Sequence, residues 1–476
     1  MSPPIEPQFL ALVFAIFSLG AQFSDLGPQA RSETSQKYIK LCFDALAAAE
    51  YMTFPSKFVL QTLLLLSQTL QNEMKPQAAW VLGGTTIRVA QYLGIHKTSK
   101  SSLHSSVSLD DAPQLRYIMG LHYEVESGLT FSSKAIVWQD AILSKAFDKP
   151  PSACDMNYQD DLRDISAAAS EGGLQYREAM SWLCHATLKH TARELSSGVS
   201  VDSMSFLNDI KSLETALLPH LRNRDLCITV QQAQEFYALQ MNINCHTAGM
   251  CRPIFSNNRS PGLAVGDKEC LQHRMQQALK KCARAYIRLR SVAYYATRSW
   301  ASAYLGLTSI LLLSLMKNTR NTSDTHEIQN ELIDSFDEVE RGTGAEFDSS
   351  AENRLSEAHK KAFAAIRKLQ RLNTERRCDE SRRGSSASSG GKQCALPVEG
   401  QHNVQDGSDA NGTNKTDAWC IQDWLRPFYD EFPPLWSIDN WLQQHDLDAS
   451  AFEGLDLDVA DQSSVHNTGD ELWSGI

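Results

Sequence analysis

Residues Leu60 to Lys97 read LQTLLLLSQTLQNEMKPQAAWVLGGTTIRVAQYLGIHK, and this stretch decides the fold class. A leucine-rich segment around Leu63, Leu64 and Leu65 leads to a break at Pro76. After it Trp80, Gly84, Ile87 and Ala90 recur at helical spacing. Proline at the first position of a helix costs nothing, because its missing N–H would have no partner there. Gly83 and Gly84 lie inside the second helix, where each costs about 1 kcal/mol against alanine. The reading therefore expects a close helix approach at that pair. Gly94 sits where a left-handed cap ends the helix, just before Ile95 and His96.

The same pattern extends outward on both sides. From Gln8 to about Met316, apolar-periodic segments alternate with short polar connectors, and strand-like alternation is scarce. The expected fold class is all-α. Helices are expected over Phe9–Phe23, Thr34–Ala49, Pro55–Leu70, Pro76–Leu93, Val137–Phe147, Leu174–Leu195, Met204–Leu217, Ala233–Met250, Leu271–Ala296 and Trp300–Met316. Phe9–Phe23 and Trp300–Met316 are apolar but shorter than the ~20 residues a membrane span needs, so both read as buried helices and no membrane partner is expected. A polar break is expected near Lys317–Asn330. A further amphipathic helix follows over Ala351–Leu372, with Leu355, His359, Phe363, Ile366 and Leu369 on one stripe.

With 476 residues, 42% of them hydrophobic and 21% charged, the chain can bury a sizeable core. Its net charge of -11 argues against a broad nucleic-acid footprint, since phosphate binding rests on clustered Lys and Arg. Any contact with DNA is expected to be indirect. Eleven cysteines without regular spacing fit a reducing compartment rather than a disulfide scaffold.

The C-terminal part changes character twice. Residues 376–418 are rich in Ser, Gly, Asp and Asn and carry almost no large apolar side chains, so they read as a disordered linker. In 419–476 aromatic and acidic residues interleave, and no Lys or Arg follows Arg426. Trp436, Trp441, Leu455 and Trp473 are its candidate contact residues. Like charges keep such a segment open and its aromatics accessible to a partner's groove. Two basic clusters, Arg367, Lys368 and Arg371, then Arg376, Arg377, Arg382 and Arg383, fit either a nuclear import signal or a solvated helix face.

Chemical constellations are few. Asp160, Asp161 and Asp164 form a D-D-x-x-D box of the kind that holds a magnesium ion and a diphosphate on a helical scaffold. The matching second motif fails: Asn208-Asp209 begins it, but Ala216 stands where a glutamate is needed, and the nearest carboxylate is Glu214. A solvated loop is the plainer reading, with a diphosphate-processing enzyme as the alternative from another class. Cys245, His246 and Cys251 match no common zinc spacing, and they read as core residues together with Cys270 and Cys282. His185 and His190 are five apart and fall on different helical faces. No phosphate-binding loop, nucleophile elbow or zinc-protease motif occurs. Catalytic, cofactor and metal residues are therefore expected to be none, and the chain is not read as an enzyme.

Leu60–Lys97 resembles the regulatory middle homology region of fungal zinc-binuclear-cluster transcription factors. That family carries a leucine-rich helix, Ala-Trp, a Gly pair, Arg, Ala and a Leu-Gly-Leu-His ending, matched here by Ala79-Trp80, Gly83-Gly84, Arg88, Ala90 and Leu93-Gly94-Ile95-His96. A second block aligns Trp138, Asp140, Ser144 and Pro150, and a third aligns Arg252 and Pro253. The resemblance covers most of Gln8–Met316. Tyr117–Lys134 fits none of the family pattern, and no C-x2-C of the six-cysteine zinc cluster occurs.

The resemblance implies a helical regulatory domain over 1–375, a linker over 376–418 and an activation segment over 419–476. The implied protein is a nuclear regulator of RNA polymerase II transcription, with zinc confined to a DNA-binding cluster outside these residues. Its implied partners are transcription machinery or co-activators, and related factors in a homo- or heterodimer. A co-regulator that pairs with a full-length zinc-cluster factor is the alternative within the same class.

Overall fold

The computed structural model describes residues 6–95, 128–147, 149–154, 162, 164–197, 203–251, 265–316, 318–341 and 366–371. In chain order the helices are α1 (Pro7–Phe23), α2 (Pro28–Ala48), α3 (Lys57–Asn72), α4 (Pro76–Tyr92), α5 (Gly128–Phe147), α6 (Ile165–Ser170) and α7 (Tyr176–Ser197). They continue as α8 (Ser203–Ala216), α9 (Pro219–Arg222), α10 (Val230–Cys251), α11 (Val265–Val292), α12 (Trp300–Leu315) and α13 (Ser323–Arg341). A further helical stretch covers 366–371. Among the described residues extended pairing is limited to one parallel bridge between Leu174 and Leu217. The fold is all-α.

Two apolar cores share a central set of helices. The first lies among α1 to α5, α7 and α8, with Leu46, Leu60, Leu63, Leu66 and Phe206 fully buried. The second surrounds α12 and takes in α11, α13 and Ile366 and Leu369 of the last stretch. Burying a leucine of this kind contributes roughly 1.5–3 kcal/mol before ordering entropy is counted. Leu82 of α4 and Trp138 of α5 pack against both cores, so α4 and α5 join the two halves. Polar ties reinforce the join: Trp300 N donates to Asn72 Oδ1 at 3.0 Å, and an Arg298 guanidinium N–H donates to Ser24 O at 2.9 Å.

Local chemistry sets the helix ends. Pro7, Pro28 and Pro76 each open a helix, and Ser56 caps α3 by accepting from Val59 N at 3.4 Å. Pro55 thus precedes its helix. α12 is buried on every face, as an all-apolar sequence of core length requires. α1 differs from expectation: it buries a face of small residues, Ala11, Ala15, Ser18 and Ala21, against α2 and α3. Its Phe17 stays 46% exposed and packs beside the Tyr38 ring at 5.4 Å. Overall apolarity did not indicate which face would turn inward.

Three expectations need correction. The polar break near Lys317–Asn330 is largely helix, because α13 starts at Ser323. It buries Ile328, Leu332 and Phe336 at four-residue spacing and faces α11 through a charge ladder. Lys280 meets Asp324 at 2.7 Å, Arg284 meets Glu327 at 3.4 Å, and Arg288 meets Glu331 at 3.5 Å. α2 begins six residues before Thr34 and α5 nine residues before Val137, since polar leading turns were discounted. The segment Leu271–Ala296 starts earlier, at Val265, and ends at Val292, with a 3-10 turn at Tyr294–Arg298.

Candidate functional site

Of the motif residues of α4, the glycine pair does not do the work expected of it. Trp80 is half-buried, its ring 6.0 Å from that of Phe147, and Arg88 is exposed and donates to Gln91 Oε1 at 3.0 Å. A Cβ added at Gly83 or Gly84 would meet no heavy atom within 4 Å. The pair does not mediate a close helix approach. Close approach occurs elsewhere: at Gly306, where a Cβ would enter the Tyr286 ring, at Gly249 against Lys145 Cε, and at Gly173 against the Leu217 backbone. Gly94 has φ +75 and donates its N–H to Gln91 O at 3.0 Å, ending α4.

α5 carries the second block. Trp138 lies edge-on to Tyr176 at 6.4 Å between the two cores, and Pro150 is exposed. Asp140 is 7% exposed and organises the chain that follows its helix. Its Oδ2 accepts from Ser152 N and Ala153 N, both at 2.8 Å, and its Oδ1 accepts from Ser144 Oγ at 3.0 Å. Burial raises the Asp140 carboxyl above its ordinary value, and these three bonds oppose that rise. Asp140 and Ser144 are positioning residues: they fix the loop at 152–153.

That loop forms one wall of a cleft between α5 and α7 with a volume of about 200 Å³. Val137, Ala153 and Leu188 make its apolar floor. His185, Lys189 and Arg193, one stripe of α7, stand at its mouth beside Ala192 and Cys154. Cys154 Sγ lies 3.8 Å from Leu188 O, which ties the loop to α7. Sequence reasoning noted His185 but not its company, because the lining residues are dispersed along the chain. The readable signal was the four-residue spacing of His185, Lys189 and Arg193.

Other titratable groups hold the interior together. His190 Nε2 lies 3.1 Å from Asp209 Oδ2, and the ring stands edge-on to Phe206 at 5.2 Å. The His246 Nδ1–H faces Thr187 Oγ1 at 3.2 Å, since that hydroxyl already donates to Leu183 O. Burial, with the nearby Lys145 charge, lowers the His246 imidazole to about 3. The buried thiols of Cys42, Cys184 and Cys251 are pushed up to about 12 by burial, and Cys245 is raised by the Cys282 thiol beside it and by burial. Such groups are poor nucleophiles. Cys270 departs from the core assignment: it is exposed.

Of the acidic box, Asp164 caps α6, accepting from Ser166 N at 2.8 Å and Ala167 N at 3.0 Å. Asp160 and Asp161 lie outside the described residues. Asp209, from the incomplete second motif, is held by His190. Among the described residues no group of three or more His, Cys, Asp or Glu is placed to hold a metal ion, and no helix is long and apolar enough to cross a membrane. His96, Arg252, Pro253 and the tail residues Trp436, Trp441, Leu455 and Trp473 also lie outside the described residues, as do 376–418.

Residues 2–142 match the family model of the fungal specific transcription factor domain. The match takes in Leu60–His96, Trp138 and Asp140, and ends before Ser144. Among curated proteins the chain is similar to transcription factor yanR of Aspergillus niger, 31% identical over 137 residues. That similarity covers 26% of this chain and 16% of the relative, so the chain spans well under two thirds of its relative's length. No solved structure matches the chain.

Proposed function

We propose that the chain regulates RNA polymerase II transcription in the nucleus through its helical domain and its acidic-aromatic tail. The observation that carries this reading is the match of residues 2–142 to the fungal specific transcription factor domain, with Asp140, Trp138 and Gly94 all serving the scaffold. The helical domain works by contact and conformation, presenting or withholding the tail. DNA is recognised by a zinc-cluster module or a dimer partner outside these 476 residues, consistent with the net charge of -11.

The tail supplies the contact with co-activators or transcription machinery. Its acidic residues keep it open, and Trp436, Trp441, Leu455 and Trp473 enter the partner's apolar groove. Fusing Trp419–Ile476 to a foreign DNA-binding domain should activate a reporter, and replacing those four residues by Ala should abolish the signal. Activation that survives the fourfold replacement contradicts the assignment.

A further inference from the structure

We propose that the outer face of α4 is the seat on which the acidic-aromatic tail, residues 419–476, docks when the helical domain withholds it. This docking rests on the tail's role as the contact with co-activators, and it names the surface that competes for the tail. α4 turns large apolar side chains to solvent: Val81 is 64% exposed and Tyr92 74%. Together with exposed Arg88 and half-buried Gly84 they follow one stripe of the helix, at positions 81, 84, 88 and 92. Arg88 is the single charged residue between Pro76 and Tyr92, in a chain that is 21% charged. A helix face left to solvent ordinarily carries charge, so this one has the composition of a contact surface.

Gly84 makes a notch in that stripe. A Cβ there would meet no heavy atom within 4 Å, so among the described residues nothing offsets the cost of a glycine inside a helix. Val81 and Arg88 flank the notch roughly 10 Å apart along the axis, which admits one flat aromatic ring against the backbone. Arg88 stands at its edge. Its guanidinium uses one N–H on Gln91 Oε1 at 3.0 Å and keeps others for a carboxylate.

The tail matches this chemistry. After Arg426 it carries no Lys or Arg, and an acid stands two residues before tryptophan in Asp439-Asn440-Trp441 and again in Glu471-Leu472-Trp473. The indole fills the notch beside Tyr92 while the neighbouring carboxylate meets Arg88. Reach is sufficient: a Ser- and Gly-rich stretch as long as 372–418 spans roughly 35–40 Å, about the length of α11. α4 also lies against both cores through Leu82. The same indoles enter a co-activator's groove, so docking on α4 and contact with the partner exclude each other.

The experiment places the photo-crosslinker p-benzoylphenylalanine at position 81 of the full chain, irradiates it in dilute solution and maps the crosslinks by mass spectrometry. They should fall within the same chain, on residues 419–476. Arg88→Glu opposes the tail's charge, and Gly84→Leu fills the notch from a position where a side chain meets open space. Each should lower the tail crosslink about tenfold, the loss of roughly one charge-assisted contact or one seated ring, with helical circular dichroism unchanged. In the full chain fused to a foreign DNA-binding domain, each should raise reporter output toward that of the tail fused alone. Crosslinks to a second copy or to residues 96–127 instead of the tail overturn the proposal, as does wild-type crosslinking in either variant. Unchanged reporter output in both variants, with an active tail, overturns it too. A tail that crosslinks at position 81 but activates no reporter contradicts its role in transcription and leaves the docking face standing; an active tail that does not crosslink does the reverse.

Discussion

Replacing Asp140 separates a structural carboxylate from one kept for its charge. Asp140→Ala strands two backbone donors, Ser152 N and Ala153 N, that now bond Oδ2 at 2.8 Å. A buried donor left without a partner costs about 1–3 kcal/mol, and Ala153 is 1% exposed, so water cannot compensate there. Ser152 is exposed and recovers part of its loss, and the change also relieves the burial of a charge. The net expectation is about 2–4 kcal/mol of destabilisation, or roughly 4–8 °C in Tm at ~2 °C per kcal/mol for a domain of this size.

Asp140→Asn should behave oppositely. Its carbonyl oxygen can take both N–H groups, and its amide can donate to Ser144 Oγ, so every bond is kept without burying charge. The raised carboxyl means that the folded state holds this proton to higher pH than the unfolded chain. Stability from this residue therefore falls as pH rises from about 3.8 through the folded value, and the advantage of Asn over Asp appears at neutral pH and shrinks in acid. Urea unfolding followed by far-ultraviolet circular dichroism measures both variants. An alanine variant within about 1 kcal/mol of wild type would refute the loop-pinning argument. An asparagine variant as unstable as alanine would show that the charge itself is required.

The glycines give a paired test: Gly83→Ala and Gly84→Ala should each stabilise α4 by about 0.5–1 kcal/mol, because the new methyl meets open space. Gly306→Ala should destabilise by at least about 1–3 kcal/mol as its methyl enters the Tyr286 ring, and thermal melts rank all three. His246 is held neutral down to about 3, whereas the unfolded chain takes up that proton near 6.5. It should therefore remove stability as pH falls below 6.5, by up to about 1.4 kcal/mol per pH unit, and His246→Gln should flatten the slope of urea midpoints over that range.

Much of the helical order was readable because it rests on local chemistry. Pro76 and Gly94 bracket α4, and the all-apolar Trp300–Leu315 could only be a core helix. α13 escaped notice because its surface is charged, although Ile328, Leu332 and Phe336 carried the four-residue period. Its partners on α11 lie more than forty residues earlier, and only the fold brings Lys280 to Asp324. The glycine pair misled for a related reason: a sequence shows the cost of glycine, but not whether another helix comes close. Gly306 carried no such mark, yet Tyr286 leaves it no room for a side chain. Asp140 was recognised by its neighbours in the motif, while its bonds to Ser152 and Ala153 needed the turn after α5. The cleft was the least legible feature, since its walls come from three separate segments.

The central claim is that this chain acts on transcription at specific genes. Chromatin immunoprecipitation of the tagged full chain from its own host, paired with RNA measurement after its removal, tests that claim most directly. The account predicts enrichment at a set of promoters whose transcripts change when the chain is lost. Absence of promoter enrichment together with unchanged transcripts would contradict it.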